Sequence, residues 1–408
     1  MKGITFSPST NFNCYCKIPT NQTSQPVKSL PQIQFPLFNS KNPNQPLLSF
    51  SINSTKNTQT PITQPPPLVV VGSANADIYV EIDRLPNEGE TISAKTGQTL
   101  AGGKGANQAT CGAKLSYPTY FVGQVGDDAN GKLITEALGN GGVCLEYLKS
   151  LGKGVPTGHA VVMLQSDGQN SIIIVGGANM SCWPEKLSDQ DLDVVKKAGI
   201  VLLQREIPDS VNIQVAKNLE EESDMVAKRF YPNATCVDYS QVKAEEMAAR
   251  SAGVTIIMDA GGMDTPMPQE LLNYVDILSP NESELGRLTG MPTESFEQIS
   301  QAAAKCHKMG VKQVLVKLGA KGSALFVEGE EPIRQPIIPA AQVLDTTGAG
   351  DTFTAAFAVA LVEGKPKEEC MRFAAAAASL CVQVKGAIPS MPDRKSVLNL
   401  LQSVEVHS

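Results

Sequence analysis

Several features are scarce or missing in this 408-residue sequence, and each absence excludes a class of function. No apolar run reaches the length of about 18 residues that a transmembrane helix needs, so we expect no membrane span. A formal charge of −7 argues against a nucleic-acid-binding surface. His159, His307 and His407 are far apart, and the nine cysteines show no paired spacing, so no metal cluster is predicted.

Acidic residues are absent from the first 67 positions, where the only charged side chains are five lysines. The segment is rich in Ser, Thr, Asn, Gln and Pro and cannot bury enough apolar surface to fold. This composition predicts a disordered transit peptide over residues 1–67. Lysine without arginine favours the plastid (chloroplast stroma) over the mitochondrion. An ordinary disordered tail on a cytoplasmic protein is the alternative.

Strands with one polar side are predicted at 78–82, 90–93, 161–164 and 171–175. A polar turn joins the last two as a hairpin. We assign them to a small β-sheet lid formed by about residues 76–100 and 155–177.

Buried strands alternate with helices in the rest of the chain, which predicts an α/β fold. Its central sheet is mostly parallel, with helices on both faces, and sites gather at the carboxyl ends of such strands. This domain is predicted to span residues 68–395, followed by a C-terminal tail at 396–408. The predicted strands are 68–72, 200–203, 254–258, 276–278, 314–316 and 324–327, with helical patterns notably at 282–289 and 296–308.

One stretch, residues 218–248, interrupts what would otherwise be a single helix. It is predicted to be a mobile insertion, or a segment retained by a gene-model error, outside any site.

The strongest chemical signal is the segment Asp345-Thr-Thr-Gly-Ala-Gly-Asp351, followed by a small, apolar run. Gly348, Ala349 and Gly350 leave their backbone N–H groups accessible at a helix start, which predicts an anion hole. Asp351, in the first turn, is placed to accept the proton of an attacking hydroxyl group. A carboxylate that only stabilises the helix start is the alternative.

This segment resembles the C-terminal signature of the ribokinase-like (PfkB) carbohydrate kinase family. The resemblance covers about residues 68–392, apart from the insertion. It implies that Asp351 is the catalytic base and that Gly348, Ala349 and Gly350 stabilise the charge of the phosphoryl group. The chain has no Walker-type phosphate loop, which agrees with a different phosphate cradle.

A second segment, Ala101-Gly-Gly-Lys-Gly-Ala-Asn107, combines adjacent glycines with a side chain that both donates and accepts hydrogen bonds. The resemblance implies that it binds the sugar together with residues near two strand ends. The implied sugar contacts are Asn75, Ala76, Asp77, Gly103, Lys104, Gly105, Ala106, Asn107, Glu206 and Asp351. For Glu206, simple solvent exposure is the alternative.

The nucleotide side is implied by two further segments. Asn281-Glu-Ser-Glu284 has the pattern of a helix cap, and in the family it organises Mg²⁺ and its waters, which gives Asn281 and Glu284 that role. The implied ATP contacts are Asn281, Lys317, Leu318, Gly319, Ala320, Lys321, Gly322, Gly350, Asp351 and Ala375. Relatives often carry a polar side chain at the position of Ala375, so we expect shape and backbone to hold the base.

The loop at residues 385–390 resembles the end of a monovalent-cation site in the family. The implied K⁺ ligands, most of them backbone carbonyls, are Asp345, Thr347, Cys381, Val384, Gly386 and Ser390. A loop that needs glycine only for its turn is the alternative.

Taken together, the resemblance implies ATP-dependent phosphorylation of D-ribose at O5 by a homodimer that pairs through the lid. ATP, Mg²⁺ and K⁺ are the implied cofactors. A kinase for another sugar or for a nucleoside remains open because His159 stands where relatives vary. A non-catalytic, kinase-like regulatory subunit is the other alternative.

Overall fold

The computed structural model describes residues 65–165, 170–230 and 253–406. Thirteen strands occur in these ranges: β1 (Leu68–Val71), β2 (Asn75–Ile82), β3 (Thr96–Gly102), β4 (Thr119–Gly126), β5 (Leu148–Leu151), β6 (Gly158–Gln165), β7 (Asn170–Val175), β8 (Ile200–Arg205), β9 (Thr255–Gly262), β10 (Ile277–Ser279), β11 (Gln313–Lys317), β12 (Ser323–Val327) and β13 (Ile333–Gln335).

Eleven α-helices accompany them in the described ranges: α1 (Lys104–Lys114), α2 (Ala129–Asn140), α3 (Asp189–Lys196), α4 (Asp209–Phe230), α5 (Gln269–Leu272), α6 (Glu282–Thr289), α7 (Phe296–Lys308), α8 (Ala349–Val362), α9 (Lys367–Cys381), α10 (Ala387–Ser390) and α11 (Arg394–Val406). Short 3₁₀ turns lie at Gly177–Asn179 and Gly319–Lys321. None of the helices in the described part of the chain is long and apolar enough to cross a membrane.

The central sheet has nine strands in the order β13-β12-β11-β10-β9-β8-β1-β4-β5. All neighbours from β5 to β11 pair in parallel, and only β12 and β13 are added antiparallel at one edge. The predicted α/β class with a mostly parallel sheet is therefore confirmed.

Strand β1 explains why helices cover both faces of this sheet. Its four residues are apolar and fully buried, and successive side chains point to opposite faces. Leu68 and Val70 pack into the core that contains α1, α8 and α9, whereas Val69 and Val71 pack into the core with α3, α4 and α7. A strand with this pattern requires an apolar layer on each side.

A second sheet has four strands in the order β3-β2-β6-β7. Strands β2 and β6 pair in parallel, and the two outer pairs are antiparallel. The predicted hairpin corresponds to β6 and β7. The strand predicted at 90–93 is wrong, because Glu90 accepts hydrogen bonds from Arg84 and from the Asn87 backbone and so holds a turn. The partner of β2 is instead β3, whose sequence is mostly polar.

Residues 396–406, which were assigned to a tail, form most of α11. Val397 is fully buried, and Arg394 pairs with Glu363 at the end of α8, so this helix belongs to the domain. The predicted insertion is described only in part. Residues 218–230 continue α4, whereas 231–248 lie outside the described residues, as does nearly all of the predicted transit peptide.

Candidate active site

A cleft of about 940 Å³ lies between the four-stranded sheet and the carboxyl ends of the central strands. Ala160 and Ile174 line its lid side, and residues that end or follow β8, β10 and β11 line the opposite side. The start of α8 also lines it. Many of the predicted site residues line this cleft: Asn75, Asp77, Gly103, Lys104, Asn107, Glu206, Asn281, Glu284, Lys317, Gly319, Ala320, Gly322, Thr347, Gly348, Ala349, Gly350, Asp351 and Ala375.

Other predicted contacts do not line the cleft, for identifiable reasons. Ala76 and Ala106 are fully buried in the core, and Gly105 packs on the backbone of Ser73. Leu318 is also buried, and Lys321 points outward to pair with Glu282. The side chains of Ala76, Ala106 and Leu318 therefore do not reach this cleft, and any backbone contact of this set stays a prediction.

The start of α8 has the geometry of an anion-binding site. Gly348 is the N-cap with a φ of 79°, and the helix proper begins at Ala349. A positive φ at the cap favours glycine, and a Cβ there would lie 3.1 Å from the Ala387 side chain. The first N–H groups of the helix form the positive end of its dipole, and this end faces the cleft.

Asp351 lies in the first turn of α8 and is only 5% exposed. Asn107 Nδ2 donates to its Oδ2 over 2.8 Å, and Lys104 Nζ lies 3.6 Å from its Oδ1. Gln108 adds a 3.4 Å bond. Asn107 Oδ1 is buried without a hydrogen-bond partner, so an acceptor next to the carboxylate remains available to a hydroxyl group.

Glu206 follows β8 and accepts three hydrogen bonds from two segments rather than pointing to solvent. Its Oε2 accepts from Ser73 Oγ over 2.5 Å, from Asn75 Nδ2 over 3.3 Å and from the Lys104 backbone over 3.1 Å. Burial raises its pKa, and the nearby Lys104 ammonium opposes that rise. The carboxylate thus joins the two segments that were predicted to bind the sugar.

Asp77 faces the same end of the cleft. Burial, followed by repulsion from Glu206, Asp351 and Asp345, raises the pKa of Asp77 well above its usual value. The backbone approaches closely here, because a Cβ on Gly102 would lie 1.9 Å from an Asp77 oxygen. A carboxyl group that resists ionisation can both donate and accept a hydrogen bond to a hydroxylated ligand.

Asn179 supports this group of residues and was not predicted. Its Nδ2 donates to Asn75 Oδ1 over 2.7 Å and to the Ala74 carbonyl over 3.1 Å, while its Oδ1 accepts from the Ala74 N–H over 2.9 Å. These bonds fix the orientation of the Asn75 amide.

Asp259 was also missed. It lies near the end of β9, fully buried, and pairs with Lys104 and with Lys317. These two lysines outweigh the effect of burial and hold the pKa of Asp259 well below its usual range. A signal was present, since an acidic residue directly follows the predicted strand 254–258 in a parallel sheet.

The Asn281–Glu284 pair forms a complete capping box at the start of α6. Asn281 Oδ1 accepts from the Glu284 N–H, and Glu284 Oε2 accepts from the Asn281 N–H, both over 2.8 Å. Glu284 Oε1 faces Gly261 and Lys104. One oxygen is therefore used by the helix cap, and the other lies on the cleft side.

The nucleotide segment brings Lys317 to the end of β11, close to Gly350. Gly319 and Gly322 have positive φ values of 51° and 95° in the turn that follows. Ala375 joins Ala378 and Val382 in an apolar part of the cleft. This part of the cleft suits a flat, largely apolar group.

The residues of the predicted cation loop also lie together, beneath the start of α8. Asp345 is fully buried, and its oxygens accept from the backbone N–H groups of Thr347 over 2.9 Å and Gly386 over 2.8 Å. Ser390 Oγ lies 3.1 Å from Cys381 Sγ. Val384 is 44% exposed, so its side chain lies at the loop surface.

Comparison with known proteins agrees with this geometry. The model of the pfkB family carbohydrate kinases matches residues 66–244 and 240–394. A ribokinase from Arabidopsis thaliana is 64% identical over 98% of this chain and 99% of its own length. The Bacillus subtilis ribokinase is 36% identical over 82% of this chain and 99% of its own length. A solved structure of Arabidopsis thaliana ribokinase with ribose and ATP has a TM-score of 0.71 and 72% identity, and the match covers 83% of this chain and 99% of that one.

Proposed function

The chain belongs to the pfkB family of carbohydrate kinases, and on that basis we propose that it catalyses ATP-dependent phosphorylation of D-ribose at O5. The observation that carries the proposal is Asp351 at the start of α8, beside the unpartnered Asn107 Oδ1 and in a cleft with a polar end and an apolar end. The similarity to a ribokinase solved with ribose and ATP supports this choice of substrates.

The arrangement supports a direct transfer. Asp351 takes the proton of the 5-hydroxyl group while that oxygen attacks the γ-phosphorus, and ADP leaves with the electrons of the broken P–O bond. The N–H groups at the start of α8 stabilise the negative charge on the migrating phosphoryl group. Lys104 stays protonated nearby, since four carboxylates outweigh the effect of burial and raise its pKa well above the usual value: Asp259, Asp351, Glu284 and Glu206.

Magnesium fits the Asn281–Glu284 end of the cleft only as an indirectly held ion. Within the described ranges, no group of three or more His, Cys, Asp and Glu side chains could hold a metal ion. Glu284 offers one carboxylate oxygen that the helix cap does not use, and Mg²⁺ takes most of its ligands from water and phosphate oxygens in such sites. When bound, the ion would neutralise charge on the ATP phosphates.

Potassium fits the loop around Asp345. This buried carboxylate takes both of its hydrogen bonds from backbone N–H groups, and none of the ion pairs of the described residues includes it. A buried charge without a counter-charge is costly, and a cation held by backbone carbonyls and Ser390 would compensate it. Such an ion would stabilise the turn that leads into Gly348.

We propose a homodimer that pairs through the lid. The face of the four-stranded sheet that points away from the cleft exposes Ile78, Ile173 and Val175, with Ile173 59% exposed. An apolar sheet face of this kind favours a partner of the same shape.

We also propose import into the plastid, supported by the acid-free first 67 residues. A fluorescent fusion of that segment tests it, and cytoplasmic fluorescence would contradict it.

The activity is tested by ADP release from the full-length protein over a panel of ribose, fructose and adenosine. We expect ribose to give the highest kcat/KM. Faster turnover of another acceptor would replace ribose with that sugar or nucleoside. An absence of ADP release with every acceptor would favour a regulatory subunit. The question raised by His159 is reduced, because its neighbour Ala160 lines the cleft and His159 does not.

A further inference from the structure

The two carboxylate oxygens of Asp259 each bind a different lysine. Its Oδ1 lies 3.2 Å from Lys104 Nζ, and its Oδ2 lies 2.7 Å from Lys317 Nζ. The Gly261 N–H also donates to Oδ1 over 3.0 Å. Lys104 belongs to the segment on the sugar side of the cleft and Lys317 to the segment on the nucleotide side. One buried anion therefore holds a cation from each side.

The backbone after Asp259 is shaped to accommodate this arrangement. A Cβ on Gly261 would lie 2.5 Å from Lys104 Cε and 2.6 Å from Glu284 Oε1. Only glycine lets the lysine stem pass at that point. Beyond it, Lys104 Nζ reaches to within 3.6 Å of Asp351 Oδ1.

Charges consequently alternate along the floor of the cleft, in the order Lys317, Asp259, Lys104 and Asp351. Without the central carboxylate the two ammonium groups would repel each other, and removing one member of a buried ion pair leaves an uncompensated charge. Asp259 itself does not line the cleft, whereas both lysines do. Asp259 therefore acts on the cleft through the groups that it binds, and the two lysines are the ones that line the cleft.

We propose that Asp259 is a positioning residue that sets the spacing of Lys104 and Lys317 and so couples the sugar side of the cleft to the nucleotide side. This inference rests on the kinase activity proposed above. The coupling follows because a displacement of either lysine changes the position that the shared carboxylate imposes on the other.

The test is a set of double-mutant cycles on the full-length protein. Asp259→Asn keeps the size of the side chain and removes its charge, and we expect kcat/KM to fall by about 10²-fold with both KM values raised. In a Lys317→Met background, Asp259→Asn should no longer raise KM for ATP. In a Lys104→Met background, it should no longer raise KM for ribose. If Asp259→Asn raises the KM values by the same factor in both lysine backgrounds as in the parent, the proposal is wrong. It is also wrong if the kinetic constants of Asp259→Asn itself lie within twofold of those of the parent.

Asp191→Asn is the matched control, since Asp191 is another buried aspartate that pairs with a lysine, Lys149, outside the cleft. Its kinetic constants should stay within about twofold of the parent, because that pair does not line the cleft.

A further measurement leaves Asp259 intact and applies even if Asp259→Asn does not fold. Lys317→Met should weaken ribose binding without nucleotide by at least about threefold in calorimetry, because Asp259 then draws Lys104 alone. An unchanged dissociation constant would contradict the coupling. The two proposals fail in different ways. If the parent enzyme does not phosphorylate ribose, the proposed function is wrong. If the parent is active and Asp259→Asn has the same kinetic constants, only the positioning role is wrong.

Discussion

Asn107 donates a hydrogen bond to Asp351 over 2.8 Å, although the two residues are 244 positions apart in the sequence. The bond joins α1, which begins within the segment 101–107, to the first turn of α8. The bond leaves Asn107 Oδ1 buried and unpartnered. A ligand hydroxyl that donates to this oxygen would lie beside the Asp351 carboxylate. In the proposed reaction, the reacting oxygen therefore lies beside this pair.

The first prediction follows from this pair. Asp351→Asn should reduce kcat by about 10²–10⁴-fold, because the amide cannot accept the proton of the attacking hydroxyl group. Asp393→Asn is the control, since Asp393 also serves a helix start, where it accepts from the Ser396 N–H over 2.9 Å, and asparagine caps helices equally well. Steady-state kinetics measure both variants. An unchanged rate in Asp351→Asn would reject the mechanism.

The second prediction concerns Gly103, where the backbone lies close to that of Asn75. Gly103→Ala places a Cβ at a φ of 93° and 2.6 Å from the Asn75 backbone nitrogen. Gly142→Ala has a similar φ of 87° but meets nothing nearer than 3.9 Å. Each should lose about 1–3 kcal/mol of unfolding free energy from backbone strain. Only Gly103→Ala should also raise KM for ribose, since it displaces Asn75. Equal KM values in the two variants would contradict the assigned sugar contact.

Asp77 predicts a pH dependence of stability. Its folded pKa lies well above the unfolded value near 3.8, chiefly because of burial. The unfolded state therefore ionises first, and stability falls as the pH rises from that value through the folded pKa. Asp77→Asn is neutral throughout, so its Tm should exceed that of the parent by more at pH 8 than at pH 5, with loss of ribose affinity. An identical Tm difference at both pH values would contradict this pH dependence.

Removal of potassium is the fourth test. Replacing K⁺ by tetramethylammonium should lower kcat by about tenfold or more, because the cation would support the turn leading into the anion hole. Product formation is followed directly by chromatography, so that no coupling enzyme with its own cation requirement intervenes. Sodium serves as a second monovalent ion of different size. Full activity in tetramethylammonium would remove the cation assignment.

Sequence patterns predicted the elements whose bounds are set by residues close together in the sequence. Helix α7 has the predicted bounds because Ser295 and Gln298 form a capping box at its start and the helix then keeps one apolar face. The start of α8 was likewise readable from the small residues before Asp351. Strand β3 was missed because its mostly polar sequence is extended through pairing with β2 rather than through its own pattern.

Long-range partners could not be predicted in this way. Asp259 is 155 residues from Lys104, and Asn179 is 104 residues from Asn75. The residue types alone do not indicate which lysine or which amide the fold brings to them. The carboxyl ends of parallel strands identify where such residues gather, but only the packed sheet shows which of them meet.

The outer face of the lid provides the last prediction. Ile173 and Val175 alternate with Ile172 and Ile174 along β7, so the first pair faces away from the cleft while the second pair lines it. Ile173→Lys places a charge in the middle of the proposed dimer contact and should convert the dimer to a monomer in sedimentation equilibrium, because a lysine cannot be buried there without a partner. Leu398→Lys, at a 41% exposed position on α11, is the control and should leave the mass unchanged. If both variants and the parent sediment as monomers, the lid face does not mediate self-association; if Ile173→Lys remains dimeric, the dimer uses another surface.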